Sequence, residues 1–199
     1  MPPADQRRHP DGVLVQACAV PAGSLLAAYA RRGYTDCYVT SLTGATAVSH
    51  PAFVEAFYTT ALFKTERAGI RWMLGRPSTD LQARELGGGT ADAFAAWSVE
   101  ARAADEILLC DIGGSTRSWL MVRSSAGGVG DASDVGGVIG ANVVTQLFFG
   151  SAVVAKRGPS GLTLGKQNLG WIFHALLGFH KLYSRLLLGA ARKRLSRDR

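Results

Sequence analysis

The chain has 199 residues, of which 47% are hydrophobic and 19% are charged. This length supports one well-buried core and is short for two, so the sequence predicts a single domain and excludes a disordered chain. The net charge is +7, but residues 181–199 alone hold seven basic residues and one Asp.

The basic C-terminal end carries no recognition-helix pattern, zinc-ligand spacing or aromatic-plus-basic sheet motif, so we expect no specific nucleic-acid partner. A weak, salt-sensitive contact with an anionic membrane stays open as the alternative partner. The first twelve residues are polar and Pro-rich, without the apolar core of a signal peptide. Cys18, Cys37 and Cys110 match neither a disulfide framework nor a thiol metal site, so we expect reduced thiols in a cytoplasmic protein.

The first predicted elements are a short helix and a strand. Residues 23–32 can form a helix that Gly33 ends, and residues 34–42 are rich in β-branched and aromatic side chains, as strands are. Alternation places Tyr34, Asp36, Tyr38 and Thr40 on one face of this strand. A charge in such a strand is unusual, so we expect Asp36 to be paired.

A helical region follows between Ser49 and Gly75. Ser49 is a good N-cap and Gly75 a clear stop. A lapse in the apolar stripe predicts two helices with a bend near residues 63–66. Residues 78–89 are polar and then glycine-rich, and are predicted to be a connection with at most about one helical turn.

Three short apolar runs, at residues 96–103, 106–112 and 117–124, are separated by turn residues and predict an antiparallel meander. Residues 126–140 hold six glycines and are predicted to be a hairpin loop, since no G-x-G-x-x-G pattern is present. The sequence of residues 142–154 predicts a further strand.

The last long segment, residues 169–195, has the periodicity of an amphipathic helix. Its apolar stripe comprises Leu169, Ile172, Phe173, Leu176, Phe179, His180, Tyr183, Leu187, Ala190 and Ala191. The opposite stripe carries His174, Lys181, Arg185 and Arg192. A helix this long needs a broad apolar partner, so we expect it to lie across a curved sheet.

Local motifs point to a known superfamily. The motifs are D-C-Y at 36–38, W-S-V at 97–99, E-I-L-L-C-D at 106–111 and H-K-L-Y-S-R at 180–185. Together with the order of elements they resemble the START and birch-pollen-allergen (SRPBCC, helix-grip) superfamily, and within it an uncharacterised bacterial family. The likeness extends from about Tyr34 to Leu187, although that superfamily usually has six strands after the helix pair and only four are predicted here.

The resemblance implies an α+β helix-grip fold. A curved antiparallel sheet would wrap around the long C-terminal helix, with a helix pair between the first and second strands. Residues 1–33 would be an N-terminal extension with a short helix, 34–195 a single domain and 196–199 a basic tail. Members of the superfamily bind lipids, polyketides or other apolar molecules in a cavity between sheet and helix.

Four candidate residues would line such a cavity from the helices. His180 lies in the apolar stripe, where a neutral imidazole can orient a ligand oxygen or transfer a proton, or can be a hydrogen-bonded core residue. Tyr183 and Tyr58 could present hydroxyl groups, or could be packed aromatics with the hydroxyl at the rim. Leu176 belongs to the same stripe and is expected to contact the ligand.

The strands contribute three further candidates. Trp97 and Trp119 could form an aromatic wall, and Arg117 shares the face of Trp119. A buried Arg117 would need an anionic partner. Glu66 and Glu100 are expected to be surface charges, with a catalytic role for either as the alternative.

No Ser-His-Asp order or metal-ligand spacing is present, so we expect neither a metal nor a cofactor. The first functional hypothesis is the binding of a small hydrophobic ligand, without necessarily any reaction. The alternative is a cyclase, dehydratase or isomerase that uses His180 with Tyr183 or Tyr58 as general acid and base.

Overall fold

The computed structural model of the chain describes residues 15–75, 77–126, 142–154 and 170–198, without the side chains of 70, 73, 74 and 170–179. These residues form seven strands, four α-helices and one 3₁₀ helix. In chain order they are β1 (Gln16–Ala17), the 3₁₀ helix (Leu25–Tyr29), β2 (Gly33–Gly44), α1 (His50–Tyr58), α2 (Ala61–Leu74), α3 (Asp80–Gly88), β3 (Ala93–Phe94), β4 (Trp97–Arg102), β5 (Glu106–Asp111), β6 (Thr116–Ala126), β7 (Val143–Val154) and α4 (Gly170–Arg197). The predicted loop at 126–140 lies, apart from Ala126, outside the described residues.

The seven strands form one antiparallel sheet in the order β1-β2-β7-β6-β5-β4-β3. The first long strand, β2, pairs with the last strand, β7, along its whole length, from Gly33 opposite Val154 to Gly44 opposite Val143. β-Branched and aromatic residues make up much of both strands, which favours a pleated sheet. The predicted α+β class, with an antiparallel meander and a closing helix, is confirmed.

The break between the first two helices falls at Thr59 and Thr60, not at residues 63–66 as the apolar stripe suggested. The Thr60 hydroxyl accepts a hydrogen bond from the Phe63 backbone N–H at 3.1 Å, so it caps the new helix. The predicted ends are confirmed, since Ser49 caps α1 and Gly75 ends α2 in the left-handed conformation, with φ of 62°.

The predicted connection at 78–89 is wrong, because it contains the helix α3. Thr79 and Gln82 form a capping box, in which each side chain accepts from the other residue's backbone N–H. Gly89, with φ of 80°, ends the helix. Three helices, and not a pair, therefore lie between β2 and the meander.

Side chains from the two faces of the sheet form two separate cores. The larger core lies between the sheet and the α-helices and includes Phe53, Phe57, Leu109, Leu120 and Leu188. The smaller lies on the other face with the 3₁₀ helix and includes Leu26, Tyr29, Leu108, Trp119 and Phe148. Residues 15–33 contribute to this fold, because β1 joins the sheet and the 3₁₀ helix packs on its second face.

The closing helix α4 contacts α1, β2 and β7. Its buried side chains after residue 179 are Ser184, Leu187, Leu188, Ala191 and Leu195. Lys181 and Arg185 are exposed, as the predicted stripes require.

The basic end of the chain is part of this helix. Arg192 Nε donates to the Ser41 carbonyl at 2.9 Å, and Arg194 Nη1 donates to the Thr59 carbonyl at 3.0 Å. The predicted boundary at 195/196 therefore does not mark the end of α4, which continues to Arg197.

None of the helices in the described part of the chain combines the length and the apolar character that crossing a bilayer requires.

Candidate functional site

A cavity of about 230 Å³ lies between the sheet, α2 and α4. Its apolar wall has side chains from α1, α2, β4, β7 and α4, namely Phe57, Phe63, Trp97, Phe149 and Leu187. The rings of Phe57 and Phe149 pack with centroids 4.8 Å apart. The wall is therefore largely aromatic, and it belongs to the larger core.

One polar side of the cavity is built by the pairing of β2 with β7. Asp36 lies directly opposite Ser151 in this pair, and its Oδ1 accepts from the Ser151 hydroxyl at 2.6 Å and from the Ser151 backbone N–H at 3.2 Å. His180 Nε2 of α4 lies 2.8 Å from the Ser151 Oγ and 3.6 Å from Asp36 Oδ2. The pairing expected for Asp36 is thus present.

This arrangement differs from a catalytic triad. Ser151 and Asp36 both approach the same imidazole nitrogen, whereas a triad Asp holds the other one. Because the Ser151 hydroxyl donates to Asp36, its lone pairs can accept a hydrogen bond from the His180 Nε2–H group. The geometry therefore suits a fixed hydrogen-bond chain better than a serine nucleophile.

Two tyrosines complete the surroundings of Asp36. The hydroxyl groups of Tyr34 and Tyr38 each lie 3.4 Å from Asp36 Oδ2. Burial, together with the charge of Asp36, raises the pKa of Tyr34 to about 12, and the same causes raise the pKa of Tyr38. Both phenols therefore stay protonated near neutral pH and can donate to the carboxylate.

The second polar side joins α2 to α4 through Glu66 and Tyr183. The Tyr183 hydroxyl donates to Glu66 Oε2. Burial raises the pKa of Glu66, while the hydrogen bond from Tyr183 and the charge of His180 oppose that rise. Burial and the neighbouring Glu66 raise the pKa of Tyr183 as well. A carboxyl group with a raised pKa in a cavity is a common feature of functional sites.

Ser184 adds an unsatisfied polar group to the cavity. Its side chain is fully buried, and no described residue hydrogen-bonds its Oγ. Buried hydroxyl groups normally have a partner. Since Ser184 lines the cavity, a bound molecule can supply that partner.

The structure brings three of the predicted site residues together. His180, Tyr183 and Trp97 line the cavity. Arg117 borders it, but its guanidinium lies over the Tyr29 ring on the other face of the sheet. Tyr58 lies behind the lining, where its buried hydroxyl is 3.2 Å from the Ser118 Oγ and burial raises its pKa. The side chain of Leu176 lies outside the described residues.

Trp119 does not line the cavity, and the predicted aromatic wall with Trp97 is absent. Trp97 lies opposite Asp111, and Trp119 lies opposite Leu108. Since Asp111 and Leu108 are three residues apart in β5, they face opposite sides of the sheet. Trp119 is buried in the smaller core, where its Nε1 donates to Glu106 Oε2 at 2.6 Å.

Arg117 has the anionic partner that its burial was expected to require. Its guanidinium lies 2.9 Å from Glu100 Oε2, donates to the Gly114 carbonyl at 2.6 Å and stacks over the Tyr29 ring, 4.9 Å from its centroid. Glu100 is therefore not a free surface charge, and the guanidinium of Arg117 is already engaged.

Sequence reasoning did not single out Ser151 or Ser184, and it treated Glu66 as a surface charge. A signal existed for Ser184, because the helical period that selects His180 and Leu187 also selects position 184. No local signal marks Ser151, which meets Asp36 across 115 residues of sequence.

Within the described residues, no cluster of three or more His, Cys, Asp or Glu side chains is arranged to hold a metal ion.

Comparison of the chain with protein-family models, with curated proteins and with solved structures gives no match.

Proposed function

We propose that the protein binds a small, mainly apolar molecule in the cavity between the sheet and α4. The observation that carries the proposal is one cavity with an aromatic wall, into which Glu66, Tyr183 and the unpartnered Ser184 converge. Small-molecule sites have this composition, with apolar walls and a few polar groups that fix orientation.

The volume limits the size of the ligand. At about 230 Å³ the cavity is smaller than the pockets of drug-sized ligands, which span roughly 300–1,000 Å³. It equals the space that roughly eight water molecules take in the liquid. A single-ring compound fits this space better than a lipid or a polyketide.

The proposed fold is the helix-grip arrangement. Its support is the pairing of the first long strand with the last, the helices inserted after that first strand, and a long helix packed on the sheet. The sequence resemblance to the START and birch-pollen-allergen superfamily points the same way, because a ligand in that superfamily lies between sheet and helix.

The test is a titration of the protein with toluene, followed through the NMR signals of the backbone amides. We expect shifts in residues that line the cavity, and we expect Leu187→Trp to abolish them by filling the space. Leu186→Trp is the matched control, because Leu186 is 53% exposed on the same helix. If Leu187→Trp does not fold, Thr116→Phe tests the same space from β6. Unchanged binding in the folded filled variant would contradict the proposal.

A second candidate function is general acid–base catalysis on a small carbonyl compound, of the cyclase, dehydratase or isomerase kind. The raised pKa of Glu66, in the same cavity as His180, favours it. Hydrogen–deuterium exchange at the α-carbons of cyclohexanone in D₂O is the test. An enzyme of this kind should accelerate the exchange, and Glu66→Gln should abolish the acceleration while toluene still binds.

A further inference from the structure

The strongest hydrogen-bond donors around the cavity are already used by the protein. The Tyr183 hydroxyl donates to Glu66. His180 Nε2 is 2.8 Å from the Ser151 Oγ, and the guanidinium of Arg117 lies on the other face of the sheet, where it is bonded to Glu100 and to the Gly114 carbonyl. A ligand that needed strong donors would have to break one of these contacts.

The acceptors, in contrast, are available. Among the described residues, Tyr183 is the donor that reaches the Glu66 carboxyl group, and it contacts one oxygen, Oε2. The Ser184 Oγ has no partner among the described residues. The polar group of a ligand in this space is therefore best satisfied if it donates hydrogen bonds.

The charges around the cavity also favour a ligand whose polar group is positively charged. Two carboxyl groups, of Glu66 and Asp111, line it. Asp111 accepts from the backbone N–H groups of Ser115 and Thr116 and has no cationic partner among the described residues. The guanidinium of Arg117 lies on the other face of the sheet, over the Tyr29 ring, where it pairs with Glu100 at 2.9 Å. Among the described residues, the charged groups that face the cavity are therefore, apart from His180, the two carboxylates.

The aromatic wall also suits a cation. The faces of aromatic rings attract organic ammonium groups, more strongly where water is excluded. Trp97, Phe63 and Phe149 line the same cavity as Glu66. An ammonium group paired with Glu66 can therefore carry a ring that packs against these side chains.

We propose that the ligand of this cavity is a small primary ammonium compound with a single-ring or similarly compact apolar body. Its ammonium group donates to the Glu66 carboxylate and to the Ser184 Oγ. This inference rests on the ligand-binding function proposed above and specifies the chemical class of the ligand.

Benzylammonium, toluene and benzoate are the probes, since they share one ring and differ in charge. Titrated by NMR at pH 7.5, benzylammonium should bind at least about tenfold more tightly than toluene, as a partly desolvated ion pair allows. Benzoate should not bind. Glu66→Gln should remove the preference for benzylammonium, so that benzylammonium binds no more tightly than toluene, because the amide keeps the shape and still accepts from Tyr183 but carries no charge.

Two further variants complete the test. Ser184→Ala should weaken benzylammonium by a smaller factor than Glu66→Gln. Asp92→Asn, which removes a carboxylate that is 88% exposed and does not line the cavity, should leave the preference intact.

The outcomes separate the two proposals. If toluene binds but benzylammonium binds no more tightly, or if Glu66→Gln keeps the preference, the cationic ligand is wrong and the cavity function stands. If none of the three probes binds, both proposals are wrong.

Discussion

The Asp36 carboxylate and the His180 imidazole lie 3.6 Å apart, and the Ser151 hydroxyl contacts both. This contact joins α4 to the sheet where β2 pairs with β7. The Asp36 side chain is only 8% exposed, and a buried carboxylate is stable only when donors surround it. The hydrogen bonds of Asp36 therefore hold the closing helix and one polar side of the cavity in place.

Replacing Asp36 with Asn should reduce the free energy of unfolding by about 1.5–3 kcal/mol, as expected for the loss of hydrogen bonds to a charged group. Urea denaturation followed by circular dichroism measures the effect. Asp92→Asn, at an exposed carboxylate, is the control and should change it by less than about 0.5 kcal/mol. Equal midpoints for the two variants would show that the contact between Asp36 and His180 contributes nothing to stability.

Neighbouring leucines on α4 test the orientation of the closing helix. Leu188 is fully buried in the larger core, whereas Leu186 is 53% exposed. We expect Leu188→Ala to cost about 2–5 kcal/mol of unfolding free energy, because it leaves a cavity in the core. Leu186→Ala should cost less than about 0.5 kcal/mol. A reversed order in thermal or urea melts would mean that the opposite face of the helix is buried.

Much of the fold could be predicted because its signals are local. The long strands show β-rich runs between turn residues, and Ser49 and Gly75 mark the ends of a helical region through their own backbone conformations. The helix α3 was missed because its C-terminal glycines resemble a loop. The Thr79–Gln82 capping box shows that its start also had a local signature.

The candidate site was less predictable because its contacts depend on tertiary register. Strand pairing sets Ser151 opposite Asp36, and nothing in either local sequence encodes that meeting. Trp119 was placed on the wrong face because the face of one strand relative to another depends on which residues pair. His180 and Tyr183 were found because the helical period, which is local, turns both towards the sheet.

The buried His50 should make stability depend on pH. Burial lowers its pKa from the ordinary 6.5, and its Nε2 has no partner among the described residues. The unfolded chain therefore takes up the proton first, so the contribution of His50 is fully present above about pH 6.5 and is lost as the pH falls. In His50→Gln, the decrease in unfolding free energy between pH 7.5 and 5 should be smaller than in the parent. Identical slopes would contradict the assignment.

Glu66 should have the opposite dependence. Burial raises its pKa from 4.5, so the folded chain retains the proton longer than the unfolded chain. The contribution of Glu66 to the free energy of unfolding is therefore fully present below about pH 4.5, where the group is protonated in both states. It is lost as the pH rises through the folded-state pKa. We therefore expect Glu66→Gln to be more stable than the parent at pH 7.5, with the difference shrinking towards pH 4.5. Urea titrations at both pH values measure it, and a variant that is less stable at pH 7.5 would contradict the expectation.

Cys18 and Cys37 lie close together in the fold, although their spacing in the sequence gave no reason to connect them. The pairing of β1 with β2 continues to these residues, with the Cys18 N–H donating to the Cys37 carbonyl at 2.9 Å. Their sulfur atoms are 3.3 Å apart, and both are free thiols. The Cα atoms of two residues directly opposite each other on neighbouring antiparallel strands are close enough for a disulfide bond between their side chains.

Oxidised dithiothreitol should therefore convert this pair to a disulfide by thiol exchange. The thiolate of Cys18 attacks the reagent, and Cys37 then displaces reduced dithiothreitol from the mixed disulfide. Burial raises the pKa of both thiols, so the reaction should be slow at pH 7 and faster at pH 8.5. Peptide mass mapping should show Cys18 joined to Cys37 with the loss of two hydrogen atoms, and Cys18→Ser should prevent it. Closing this loop should stabilise the fold by about 3 kcal/mol, and a bond that includes Cys110 instead would contradict the register of β1 on β2.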